Sequence, residues 1–230
     1  MTDFSAAFLE SYQMLIGFDP TLYGIIARSL QVSLLALGLA LIFGLACAAW
    51  LALNEFRGKK IILIFIHTLL SLPPVVVGLI VYLLLSFQGP FGSLGWLFTP
   101  KAMIIAQMIL IFPIITAYGH DILAASWGEY QDQLRSLKAN RRQSALILLH
   151  DSRHALTLIA LGGFGRAISE VGAVMIVGGN ILHHTRVMTS SITLATSRGE
   201  LGLALALGSI LLLLALIINL FGHLLRHPLK

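Results

Sequence analysis

The chain reads as an all-α integral membrane protein of about five spanning helices, and three observations point there. Hydrophobic residues make up 57% of its 230 residues and charged residues only 11%, whereas an average soluble domain is about a quarter charged. Charge-free intervals long enough to cross a bilayer recur along it, and mean hydropathy is +0.90. Lys and Arg gather in alternate connections, as the retention of positive charge on the cytoplasmic side requires.

The elements follow in order. Residues 1–24 form an external N-terminal segment, in which residues 4–18 (FSAAFLESYQMLIGF) alternate apolar and polar patches. They suit a membrane-surface helix but are too short to span comfortably, and they lack the basic region of a signal peptide. The first span is Ser29 to Asn54. The next charge-free interval, Ile61 to Pro100, is too long for one span; its end, QGPFGSLGWLFTP, is rich in Gly and Pro around Trp96. A span from Ile61 to Phe87 followed by an interfacial loop accounts for it. Ala102 to His120 is the third span, and His154 to Asn180, which contains Arg166 and Glu170, is the fourth. Leu201 to Leu225 is the last.

Charge sets the orientation. Arg57, Lys59 and Lys60 mark one connection, Arg135, Lys138, Arg141, Arg142 and Arg153 another, and Arg226 and Lys230 the tail. The N-terminal segment instead carries Asp3, Glu10 and Asp19 with no base before Arg28, and Lys101 stands alone in its loop. This predicts the N-terminus outside and the C-terminus inside, which an odd number of spans satisfies. Arg186 and Arg198 in one connection vote ambiguously.

Composition also excludes. The net charge of +5 sits beside membrane ends, so lipid headgroups and topology explain it without nucleic acid. The single Cys47 lies within a span and permits no intrachain disulfide. No P-loop, GxSxG or HExxH is present, and the eight His are scattered. The chain is therefore expected to hold no catalytic residue, no metal and no cofactor of its own.

Between the third and fourth spans lies a polar stretch, residues 125–152, placed on the cytoplasmic face. From Tyr130 onward Leu134, Leu137, Ala145, Leu146 and Leu149 recur at helical spacings between basic residues, which predicts two short amphipathic helices bent at Asn140. Such a pair either rests on the bilayer or docks into a groove on a partner.

The run Asp132-Gln133-Leu134-Arg135-Ser136-Leu137-Lys138-Ala139-Asn140-Arg141-Arg142 resembles the cytoplasmic coupling loop of bacterial ABC importer permeases. In that pattern Glu-Ala-Ala is followed by Gly six residues after the Glu, and Ile-x-Leu-Pro closes it. Asp132, Gln133 and Leu134 stand for Glu-Ala-Ala, and Lys138 stands for the Gly. Leu148 and His150-Asp151 stand where Ile and Leu-Pro would be. Lys138 removes the residue that turns most cheaply with positive φ, and Asp151 removes a proline that marks a helix start.

A second segment, GGFGRAISEVGAVMIVGGNILHHT from Gly162 to Thr185, continues with Arg186-Val187-Met188-Thr189. It resembles the matching segment of molybdate and tungstate importers, and its wording is most similar to the tungstate type. Pro73-Pro74-Val75-Val76-Val77-Gly78 and Gly89-Pro90-Phe91-Gly92-Ser93-Leu94-Gly95 agree with this.

The resemblance implies a type I ABC importer permease fold in a bacterial or archaeal inner membrane, two copies working by alternating access on tungstate. Molybdate or sulfate is the alternative cargo. It also implies a separate ATPase subunit that holds ATP-Mg and docks on residues 132–142, an extracytoplasmic substrate-binding protein, and surrounding lipid. A rival of another class is an ion-coupled secondary transporter or channel subunit, with Arg166 and Glu170 as proton relay. It predicts an internal repeat and more spans, and neither is visible.

Path residues follow from chemistry. A charge at mid-span costs at least about 2.5 kcal/mol facing lipid, so Arg166 and Glu170, spaced i,i+4, either neutralise each other or form a gate. Neutral donors suit a dianion that must be released, which nominates Ser169, Asn180, Thr185, Thr189, Ser190 and Ser191. Gly162, Gly163, Gly165, Gly172, Gly178 and Gly179 serve close packing or helix breaks. Pro73 and Pro74 mark a kink or a hinge. His183 and His184 read as solvated loop residues, a pH sensor or a docking contact.

Overall fold

A computed structural model describes residues 4–17 and 19–226. Asp3 and Lys230, counted among the charges that set topology, lie outside these residues, as does Phe18 at the end of the expected surface helix. The helices in chain order are α1 (Phe4–Ile16), α2 (Pro20–Leu53), α3 (Lys59–Leu69), α4 (Pro74–Leu85), α5 (Pro100–Ser136), α6 (Arg141–Asp151), α7 (Arg153–Ile168), α8 (Gly172–Gly178), α9 (Met188–Arg198) and α10 (Leu201–Arg226). A 3-10 turn at Gly92–Leu94 lies in the expected interfacial loop, and the described residues contain no strand.

Three helices, α2, α5 and α10, are each long and apolar enough to cross a membrane unbroken. The bent pairs α3 with α4 and α7 with α8 qualify as well when each is taken as one crossing, which makes five.

Each pair is expected from sequence as one span, the first with a kink or hinge at Pro73 and Pro74, and both are broken. The first bends by 102°, because Pro73 and Pro74 have no amide hydrogen to give and exclude helical geometry from the residue before them. Pro74 then occupies the first turn of α4, where its missing N–H costs nothing. The second bends by 57° across Ser169 to Val171, with no proline. There the Ser169 hydroxyl donates back to the Gly165 carbonyl at 2.9 Å, a local bond that competes with the helical ladder.

Two ends also differ from expectation. α2 starts at Pro20 rather than Ser29, because the Asp19 side chain accepts from the amides of Thr21 and Leu22 at 2.8 and 2.9 Å and Pro20 presets the first turn. α5 does not stop near His120. Leu123, Trp127, Tyr130 and Leu134 keep an apolar stripe on one face, so the helix continues to Ser136 with its polar side chains outward.

α5 is the central helix. Of its most apolar window 61% is buried, against 17% for α10, and α5 packs on α2, α3, α4, α7 and α8. Small residues bring α2 close: Ala36 and Ala40 meet Ile111 and Ile115 of α5 and Ala167 of α7. Such close contact, not solvent exclusion, holds helices together where the surroundings are lipid. α4 and α8 cross with main chains touching, since a Cβ on Gly78 would lie 2.8 Å from Cα of Ala173. At the hairpin end of the bundle Leu123, Leu134, Leu148 and Leu156 form a further buried cluster with Ala48 and Leu53.

Candidate coupling and translocation site

The segment expected to couple to an ATPase is a helical hairpin made by the end of α5 and by α6. Between them Lys138 adopts φ +54°, a conformation that costs a non-glycine residue about 1–2 kcal/mol. The turn is held by the Ala139 amide donating to Leu134 at 3.0 Å and the Lys138 amide donating to Arg135 at 2.9 Å. Asn140 then starts α6 through a capping box. Its side chain accepts from the Gln143 amide and its own amide donates to Gln143 Oε1, each at 2.9 Å. The bend expected at Asn140 is there, although the first expected short helix is the extension of α5. The α6–α7 junction at Ser152 needs no proline; the Ser152 hydroxyl lies 3.1 Å from that of Ser126 on α5.

The hairpin's side chains divide by direction. Leu134 and Leu148 are buried, with Ala139, Ala145 and Leu149 packed against that inner cluster. Leu137, Leu146 and Ile147 are 76%, 60% and 48% exposed and line an open groove of about 390 Å³ with Gln143. Asp132 and Arg135 form an exposed pair at 3.9 Å, worth little energetically. Arg142 is exposed. Arg141 differs: its Nη1 donates to the carbonyl of Leu53, the last residue of α2. Helix C-termini leave carbonyls unpaired and favour positive charge, and Asn54 Nδ2 completes this end by donating to Trp50 at 2.7 Å. In the adjoining α2–α3 loop the Lys59 ammonium donates to Glu55 at 2.6 Å. That hydrogen bond, with the charge behind it, holds the Glu55 carboxyl below its ordinary range.

Of the expected path residues, Pro73 and Pro74 stand at the first helix break and Arg166, Ser169, Glu170 and Gly172 at or beside the second, whereas Asn180 and Thr185 lie in the α8–α9 connection. A Cβ on Gly172 would lie 2.8 Å from Cγ2 and 3.6 Å from the main-chain nitrogen of Val75, so the start of α8 abuts the start of α4 just after Pro73-Pro74. Glu170 sits in the second break, buried, with Oε1 accepting from the Ala173 amide at 3.2 Å. Its carbonyl accepts from the Thr189 hydroxyl at 2.7 Å. Arg166 Nη2 stands 3.9 Å from Glu170 Oε2, with side-chain exposures of 43% and 6%. The two do not share a helix face, because α7 ends at Ile168; they face each other across the break. Gly162, Arg166 and Ser169 are exposed on α7 while Gly163, Ala167 and Ile168 are buried, so one small and polar strip of α7 is uncovered.

Most of the proposed neutral anion hosts are engaged in holding the chain. The Thr185 hydroxyl donates to Gly178 at 2.5 Å and accepts from the Ile181 amide at 2.9 Å. The Ser190 hydroxyl bonds Asn180 Oδ1 at 2.9 Å, and Thr189 is committed to Glu170. They fasten the α8–α9 connection and do not offer their hydroxyl hydrogens to a guest. Ser191 is the exception: its buried Oγ has no hydrogen-bond partner. His183 and His184 are exposed in that connection.

Two residues went unremarked in the sequence. Gln107, the single amide in the Ala102 to His120 interval, is buried and donates to the Ala167 carbonyl at 2.9 Å, tying α5 to the end of α7. Its isolation among apolar residues was the available signal. Ser29 accepts from the Met188 amide at 2.7 Å, a pairing 159 residues apart that no local pattern announces.

No protein-family model matches the chain. It is 38% identical to the tungstate uptake system permease protein TupB of Peptoclostridium acidaminophilum, over 92% of this chain and 93% of that protein. It is 35% identical to TupB of Campylobacter jejuni, over 96% and 92%. This chain belongs to the ABC oxyanion-importer permeases. A probable anion ABC transporter permease of Haloferax volcanii is 37% identical over 87% of the permease and 89% of its own length. The permease is thus a transport component and not an enzyme, a multi-pass membrane subunit of a system that includes an ATPase and a substrate-binding protein.

Proposed function

We propose that two copies of the permease import tungstate by ATP-driven alternating access, with the ATPase seated on the α5–α6 hairpin. The bond between Arg141 and Leu53 carries this reading, because it turns a surface hairpin into a lever on the end of a spanning helix. Leu137, Leu146 and Ile147, left uncovered around a groove, are the apolar knobs for the ATPase, and the exposed Arg142 is a basic contact for it. ATP-Mg binds in that ATPase. Closure of two ATPases draws the two hairpins together and opens the path outward; hydrolysis resets it.

The path runs between copies. A guanidinium 43% exposed within a span cannot face lipid cheaply, so the uncovered strip of α7 with Gly162, Arg166 and Ser169 faces the second copy. The touching breaks near Pro74 and Glu170 form the gate, since a broken helix can change its bend without unmaking a continuous ladder. The N-terminus lies outside and the C-terminus inside, which puts the start of α2 toward the binding protein. Tungstate as cargo follows from the two tungstate permeases among the relatives.

Uptake of labelled tungstate into proteoliposomes holding permease, ATPase and binding protein tests the cargo. Unlabelled tungstate should compete at lower concentration than molybdate, and at far lower concentration than sulfate. Equal competition by sulfate contradicts the reading.

A further inference from the structure

At the end of α2 remote from the coupling hairpin, Thr21, Gly24, Ile25 and Arg28 meet Leu182, His183 and Arg186 of the α8–α9 connection around a cavity of about 120 Å³. We infer that this cavity is a landing site for one tetrahedral oxyanion on the outer face of the permease. The inference rests on the proposed import function and adds a place where the anion binds before it enters the path.

Size is the first argument. The cavity of about 120 Å³ holds several water-sized groups, since one needs only about 10–15 Å³ of such space, and so admits a small oxyanion.

Charge is the second. The lining includes two arginines and a histidine and no carboxyl. The nearby Asp19 is occupied in capping α2. Each guanidinium has five N–H donors in a fork suited to oxyanions. Among the bonds described, Arg28 gives one to Gln31 Oε1 at 2.9 Å and Arg186 gives one to the Asn180 carbonyl at 3.3 Å. Arg186 Nε is buried without a partner.

Rigidity is the third. The connection is pinned by Thr185, and the amides of His184, Thr185 and Arg186 all donate to the Ile181 carbonyl. Asn180 and His183 are held at φ +51° and +61°, strained conformations that persist only where surrounding bonds impose them. The cavity therefore has preset walls, which lowers the ordering cost of binding.

Three variants test this in the assembled transporter without its binding protein, by equilibrium binding of labelled tungstate. R28Q and R186Q each remove one charged fork. G24L fills the cavity, because nothing lies within 4 Å of a Cβ placed at Gly24. Co-purification with the ATPase reports that each variant is folded. The wild type should bind tungstate saturably; each arginine variant should bind roughly tenfold or more weakly, the loss of a charge-assisted hydrogen bond, and G24L should lose the site. Unchanged binding in G24L and R186Q overturns the inference, as does absence of saturable binding by a wild type that still imports tungstate with its partners. Weakened capture of anion-free binding protein, with tungstate binding intact, assigns the arginines to protein docking and also overturns it. A wild type that imports no oxyanion with ATP refutes instead the transport reading beneath it.

Discussion

Arg141 donates a hydrogen bond to the main-chain carbonyl of Leu53, so the first residue of the coupling helix is fastened to the last residue of the 34-residue helix α2. In the proposed mechanism, motion of the hairpin would pull on α2 through this bond. Among the described residues Arg142 beside it makes no such tie, so the two arginines separate two roles.

R141E should abolish stimulation of ATP hydrolysis by the binding protein while the ATPase still co-purifies. It should also lower stability by about 1–3 kcal/mol, the effect of leaving a part-buried acceptor unpaired. R142E should weaken ATPase attachment and leave thermal stability within about 0.5 kcal/mol. Pull-down and thermal melting of both variants distinguish these outcomes; identical behaviour contradicts the assignment.

Glu170 holds the break between α7 and α8 through the Ala173 amide. E170Q keeps an oxygen acceptor there but leaves Arg166 without its opposite charge, so folding should survive and uptake should fall. E170A removes the acceptor as well and should lower stability by a further 1–3 kcal/mol, roughly. Melting temperature and uptake, measured on both variants, should part in E170Q and fall together in E170A.

Gly78 and Gly162 offer a contrast in packing. A Cβ on Gly78 would meet Ala173 Cα at 2.8 Å, whereas Gly162 has nothing within 4 Å. G78A should push α4 from α8, cost about 1–3 kcal/mol and depress uptake; G162A should leave the melting temperature unchanged. A destabilised G162A would show that a copy packs against that strip even in the measured state.

Lys138 takes the left-handed conformation at the hairpin turn. K138G should therefore raise stability by up to about 1 kcal/mol, the relief of strain being partly offset by the more flexible unfolded chain. Thermal melting checks it.

The spans were legible because lipid imposes length and apolarity on each, and the two breaks were legible only in part. Pro73-Pro74 announced the first, although a bend of 102° depends on how α4 packs on α8. The second carries no proline and arises from side chains, Ser169 and Glu170, bonding to nearby main chain. The coupling turn survives the replacement of glycine by Lys138 because the Leu134 and Arg135 carbonyls and the Asn140 cap impose it. The roles of Thr185, Thr189 and Ser190 were the least legible. A hydroxyl in a span reads the same whether it awaits a guest or holds a carbonyl, and only the folded chain separates the two.

Uptake of labelled tungstate into proteoliposomes containing the permease, with and without its ATPase, tests the central claim most directly. Accumulation should require the ATPase, ATP on the ATPase side and binding protein on the opposite, outer side, and R141E should abolish it. Accumulation by the permease alone, driven by an ion gradient with no ATPase present, would contradict the account.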